Sequence, residues 1–221
     1  MWEPMLKITD SVKTMQEGLA LEFFKIANSR VRRNAGLALA RAKVATLSFL
    51  TKTPTYQSLV SGELAYHFGF NKGTEESVLQ PILNTFVDSI HYEFIPFSKI
   101  GGSFTFYGVN ADYSDVFSLP EAKIAGKNKP ELTTRYPLPW LNWLLLQGDA
   151  ILVQDYKIVI GTVNRSKTGK AVMIHGGTWS IPSEFRGTAS NNWITKMSPK
   201  GEKAVSEYDK TMQKIMEGLL V

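Results

Sequence analysis

The segment Arg165-Ser166-Lys167-Thr168-Gly169-Lys170 is the part of this sequence best suited to holding a phosphate, with three cations and two hydroxyls around a glycine. A nucleotide-binding loop of the Walker type has a glycine five residues before its Gly-Lys pair and Ser or Thr after it. Asn164 and Ala171 stand at those positions. The segment is therefore expected to be a hairpin turn with solvated charges. Carboxylate pairs suited to acid–base work occur at Glu75 with Glu76 and at Asp112 with Asp115. The first pair sits where a helix should begin, and there the helix dipole alone favours acidic side chains. The second falls in a stretch that reads as loop. Asp149 and Asp155 flank the start of a strand, where solvated edge charges are ordinary.

There is no cysteine, which removes disulfides, zinc–thiolate sites, iron–sulfur clusters and thiol nucleophiles together. His67, His91 and His175 share no ligand spacing and are expected to be structural. No nucleophile elbow, zincin motif or dinucleotide fingerprint occurs. The expectation is a protein without an active site, metal or cofactor.

The elements around these residues suggest a reason. The chain has 221 residues, 43% hydrophobic and 20% charged, enough for one core with an appended hairpin or arm. The apolar run Leu138–Leu146 is interrupted by Asn142 and is far shorter than the ~20 residues of a membrane span. Met1 is followed by Trp2, Glu3 and Pro4, unlike a signal peptide, so action without crossing a membrane is expected. The net charge is +5, and it is local. Between Phe23 and Gly62 lie Lys25, Arg30, Arg32, Arg33, Arg41, Lys43 and Lys52, with no acidic residue.

Asp10 or Ser11 can cap a helix reading to about Phe49, and Thr14 with Glu17 fits a capping box. Val12, Met15, Leu19, Phe23, Ile26, Leu37 and Val44 form one stripe at a 3.6-residue period. Arg30, Arg33 and Arg41 fall on or beside that stripe, which a buried face would not tolerate. Either the helix breaks near Asn28–Gly36, which is the favoured expectation, or the arginines meet acidic or phosphate partners.

Thr51-Lys52-Thr53-Pro54 ends the helix. A short helix follows around Tyr56–Phe68, capped by Gly69, and then an amphipathic one through Val78–Ile90, where Pro81 implies a late start or a kink. His91–Phe97 and Ser103–Gly108 alternate as a β-hairpin. Residues 111–137 lack periodicity and read as a long loop or inter-subunit arm. A short helix at Leu138–Gln147, strands at Ile151–Ile160, Lys170–His175 and Trp193–Met197, and a terminal helix from Ser198 complete the pattern. The fold class is α+β: long N-terminal helices, antiparallel hairpins or sheet, and a C-terminal packing helix. Residues 1–53 form a basic helical segment and 54–221 the α+β core, with a loop over 109–137. Tyr136, Trp140 and Trp143 suit either core packing or an aromatic anchor between subunits. Lys25, Arg30, Arg32, Arg33, Arg41 and Lys43 are either a solvated face or a surface for phosphates.

Four stretches go beyond composition. They are Thr53–Leu64 with Phe68-Gly69, Trp140–Asp149, Arg165–Met173, and Trp179–Thr188 running on to Asn191–Thr195. Together they resemble the neck, or head-to-tail connector (tail-completion), proteins of tailed bacteriophages. The resemblance spans most of residues 54–195 and is most specific in the last two stretches. Where the family pattern has arginine, Lys167 stands, and Ser180, Ser183 and Arg186 also depart from it. It implies a structural virion subunit, assembled in the host cytoplasm, in a homo-oligomeric ring of six or twelve copies. Such a ring joins portal or adaptor proteins to tail proteins, and packaged double-stranded DNA passes through it by non-specific contact. The other readings are a stand-alone, sequence-independent DNA-binding protein and a carboxylate hydrolase with a bound metal.

Overall fold

The computed structural model describes residues 11–109, 112–125, 137–162, 166–197 and 206–221. One helix, α1 (Val12–Lys52), runs 41 residues without interruption, about 60 Å at ~1.5 Å per residue. Ser11 caps it by accepting the Thr14 amide at 3.2 Å. Thr53 ends it and starts α2 (Pro54–Ser61) with one hydroxyl, which donates to the Leu50 carbonyl at 2.7 Å and accepts the Tyr56 amide at 3.3 Å.

The expected break at Asn28–Gly36 is absent, for two reasons. First, the buried face is a different one: Ala27, Val31, Ala35, Ala38, Ala42, Thr46 and Leu50 form a continuous seam through the expected break. Second, the polar residues there are used tertiarily. Asn28 both donates to the Phe97 carbonyl (3.0 Å) and accepts the Phe97 amide (2.7 Å). Asn34 donates to the Leu219 carbonyl (3.1 Å), and the Arg30 guanidinium to the Leu220 carbonyl. The arginine-bearing stripe is never buried, so no desolvation penalty demands a break.

The small side chains of the seam let a hairpin lie close. Strands β1 (His91–Ser98) and β2 (Gly101–Tyr107) pair antiparallel, and Phe94, Phe97, Phe104 and Phe106 pack on Val31, Ala35 and Ala38. The tip reaches toward the start of the helix, where Lys99 meets Glu17 at 3.5 Å. Helix α7 (Glu207–Glu217) runs antiparallel to α1. Its Tyr208 hydroxyl meets Thr46 at 3.1 Å, and Leu219 joins the hairpin cluster. Ser206 and Asp209 form its capping box. The expected start at Ser198 lies outside the described residues.

Burial pushes the Tyr208 phenol above its ordinary pKa, with the Thr46 hydrogen bond partly opposing, and burial does the same for Tyr113. In the unfolded chain both titrate near pH ~10. Their contribution to stability is therefore fully present below about pH 10 and is lost as pH rises through the folded values. Denaturant midpoints should be level up to about pH 9 and fall beyond about pH 10. A midpoint that climbs there would contradict the burial of these rings.

The second core is larger. Helices α2, α3 (Glu63–Phe68) and α4 (Glu75–Asp88) pack with α5 (Ser114–Ser118) and α6 (Trp140–Leu146). Gly69 closes α3 at φ +69°, the left-handed cap glycine adopts readily. Pro81 lies inside α4, which begins at Glu75, so the late start is excluded. Residues 111–137 are not simply a loop. Tyr113, Val116 and Ala122 are buried, and β3 (Ile124–Ala125) pairs with β4 (Pro137–Leu138). Any arm formed by 126–136 lies outside the described residues. β5 (Val153–Ile160) and β6 (Ala171–Trp179) form the third ladder. Among the described residues the strands form three separate two-stranded ladders, not one sheet. The strand expected at Trp193–Met197 is instead a 3-10 turn at Thr195–Met197.

Candidate assembly surface

At about 100° of rotation per residue, the stripe of Val12, Met15, Leu19, Phe23, Ile26, Leu37 and Val44 lies opposite the alanine seam. These side chains face solvent. Val12 is 66% exposed, Leu19 73%, Phe23 62% and Val44 70%. No residue of α1 before Ala27 is buried. Over the first four turns the stripe is thus uncovered among the described residues, while the hairpin tip reaches the helix at Glu17 through Lys99. A contiguous apolar face of this kind marks an interaction surface rather than ordinary scatter. The alanine spacing was visible in the sequence, but larger apolar side chains on the opposite face carried the stronger periodic signal.

The basic candidates separate into two groups. Arg30, Arg33 and Arg41 lie on the stripe, while Lys25, Arg32 and Lys43 lie on the flank beyond it. Lys25 pairs with Glu22 at 3.2 Å, and Lys43 with Asp88 at 2.9 Å. Arg30 is held by the Leu220 carbonyl. Arg32, Arg33 and Arg41 make no ion pair among the described residues. Beside Arg41, a shallow groove of about 500 Å³ runs between α1 and α7, lined by Val44, Ala45, Ser48, Phe49 and Thr211.

Trp140 is corrected from interface candidate to core residue. It is fully buried, its ring centre 5.1 Å from Phe68 and 5.0 Å from Phe70, and its indole donates to the Glu121 carbonyl at 2.7 Å. Trp143 is half-buried against Trp179. Tyr136 lies outside the described residues.

The turn at Ser166–Lys170 directs its hydrogen-bonding groups inward. The Thr168 hydroxyl, buried, accepts the amides of Lys170 (3.1 Å) and Ala171 (3.0 Å), and the Ser166 hydroxyl donates to the Ala171 carbonyl. Those amides are not presented to a phosphate. Gly169 takes φ +71°, and the Lys170 ammonium sits 5.4 Å over the Tyr66 ring.

His67 links two elements. Its Nδ1 accepts the Trp179 indole N–H at 2.7 Å, and Nε2 faces the Glu63 carboxylate at 2.9 Å. Because an indole only donates, this fixes the proton on Nε2, and Nδ1 is occupied rather than available as a base. Asn192, fully buried, accepts the amides of Ile194 and Thr195 and donates to the Thr188 carbonyl and the Tyr113 hydroxyl. Glu75 and Glu76 occupy the first turn of α4, and Asp112 accepts the Ser114 amide at 3.1 Å. Among the described residues no group of three potential metal ligands converges, and no helix is long and apolar enough to cross a membrane.

The chain matches no protein-family model, no curated protein and no solved structure.

Proposed function

We propose that this chain is a structural subunit of a larger assembly, built to bind other protein surfaces through α1 rather than to turn over a substrate. In the context of the four resembling stretches, that assembly is a tailed-phage neck, a connector ring between portal and tail around the DNA channel. The observation that carries the reading is the exposed apolar face of α1, Val12 to Ile26, which none of the described residues covers. Leaving several large apolar side chains in water forgoes about 1.5–3 kcal/mol each relative to burial, a strong incentive to associate. In such a ring Arg32, Arg33 and Arg41 are the cations free to face a polyanion, with sequence-independent, salt-sensitive attraction. The stand-alone DNA-binding reading draws less support, because packing disperses the six cations and neutralises two of them.

Replacing Leu19 and Phe23 together by aspartate tests the reading. Both are exposed, so folding should be unaffected, with thermal midpoints close to that of the parent chain. Mass photometry should find the parent chain larger than a monomer and the variant reduced to monomers. A parent chain that stays monomeric and binds no virion component would overturn the proposal.

A further inference from the structure

The exposed stripe of α1 has an internal symmetry. Its positions are 12, 15, 19, 23 and 26, then 30, 33, 37, 41 and 44, the second set mirroring the first about residue 28. We infer that the occupant of this face in the free chain is a second copy of α1, antiparallel and centred at the level of Asn28. The inference rests on reading this face as an assembly surface, and it specifies the partner that covers it before incorporation into a ring.

In that register Val12 meets Val44 and Leu19 meets Leu37, so apolar side chains face each other at both ends of the contact. Phe23 meets Arg33, a ring under a guanidinium that has no ion pair among the described residues. Met15 meets Arg41, whose aliphatic stem can cover apolar surface while its head stays wet, and Ile26 meets the stem of Arg30, whose guanidinium remains on the Leu220 carbonyl. The groove beside Val44, with its walls of Ala45, Phe49 and Thr211, lies where the partner's first helical turn would fall. The hairpin and the alanine seam occupy the opposite side of the helix, and α7 flanks the stripe at Arg30 and Thr211 while Leu37, Arg41 and Val44 stay exposed.

Charge selects the direction. Residues 30–52 carry six cations and no anion, whereas residues 11–29 carry two of each. Parallel pairing would set the two cationic halves side by side, and antiparallel pairing sets each against the partner's neutral half. The area is also adequate. A strip about 48 Å long and roughly 12 Å wide covers roughly 600 Å² per chain, or about 1,200 Å² in total, the lower edge of a standard interface. A two-fold pair cannot itself belong to a ring whose subunits all point one way. The pair is therefore a reserve form that keeps α1 covered until virion partners displace it.

The chain has no cysteine, so engineered thiols report cleanly. Leu19→Cys and Leu37→Cys are co-expressed with different tags and treated with a short thiol-to-thiol crosslinker, since helix axes 8–10 Å apart suit this better than a disulfide. Covalent dimer is expected from the mixture and not from either variant alone, because in this register each leucine lies about 27 Å from its own copy. Crosslinking of Leu19→Cys with itself, or none in the mixture, would overturn the pairing. The two proposals fail separately. If the mixture does not crosslink but the Leu19→Asp/Phe23→Asp variant still loses mass, the register is wrong and the assembly surface stands. If the parent chain is monomeric throughout and binds no virion component, both fall.

Discussion

Truncating Trp140 to alanine is expected to cost about 3–5 kcal/mol, the largest single-residue effect among the side chains described. The indole is fully buried between Phe68 and Phe70 and joins α6 to the turn at Glu121. Its loss removes that packing, leaves a cavity and strands the Glu121 carbonyl, which loses its donor. Against a total stability of about 5–15 kcal/mol, the variant should unfold at a much lower urea concentration. Trp140→Phe, which keeps most of the volume, should lose distinctly less. A Trp140→Ala loss under about 1 kcal/mol would instead fit a side chain outside the core.

Gly187→Ala should be nearly as damaging, at about 3 kcal/mol, the upper range for forcing atoms into a packed interior. A Cβ there would lie 2.3 Å from the Leu144 carbonyl oxygen and 2.9 Å from that of Leu145. The obstacle is backbone at the end of α6, which cannot rotate away as a side chain can. Gly148 faces the same seam from the other side, its Cβ position 2.4 Å from the Gly187 nitrogen, and its amide donates to the Gly187 carbonyl at 3.1 Å. Gly161→Ala, with no atom near its Cβ position, is the control and should change the denaturation midpoint little. Equal midpoints for the two variants would show that this close approach does not exist in solution.

What the sequence could reveal depended on how strongly each element announced itself. The β1–β2 hairpin was legible because aromatic and polar residues alternate over two runs, and α4 because large apolar residues recur at helical spacing. The glycine turn after Thr168 was legible from chemistry alone. The buried face of α1 was not legible because alanine contributes little to an apolar pattern, although it was the small residue that allowed Phe94 and Phe104 to approach. Residues 112–122 looked like loop because a five-residue helix shows no period, yet Tyr113 and Val116 are core. Trp140 and Trp143 could not be separated by residue type, since burial of an indole depends on what lies three helices away in sequence. For the candidate surface, the residues of the stripe were all visible beforehand. Their exposure was not, because it follows from where the hairpin and α7 dock.

The three ladders bear on how this molecule can aggregate. In a two-stranded ladder both strands are edges, and open edges invite strand addition from other chains. The two long hairpins each interrupt that template. β1 carries an extra residue near Pro96, where proline offers no amide to a newcomer, and β6 bulges at Gly176-Gly177 opposite Asp155. Fibril-like stacking is thereby discouraged at the backbone while the helical face stays adhesive, so crowding should favour discrete particles over amyloid.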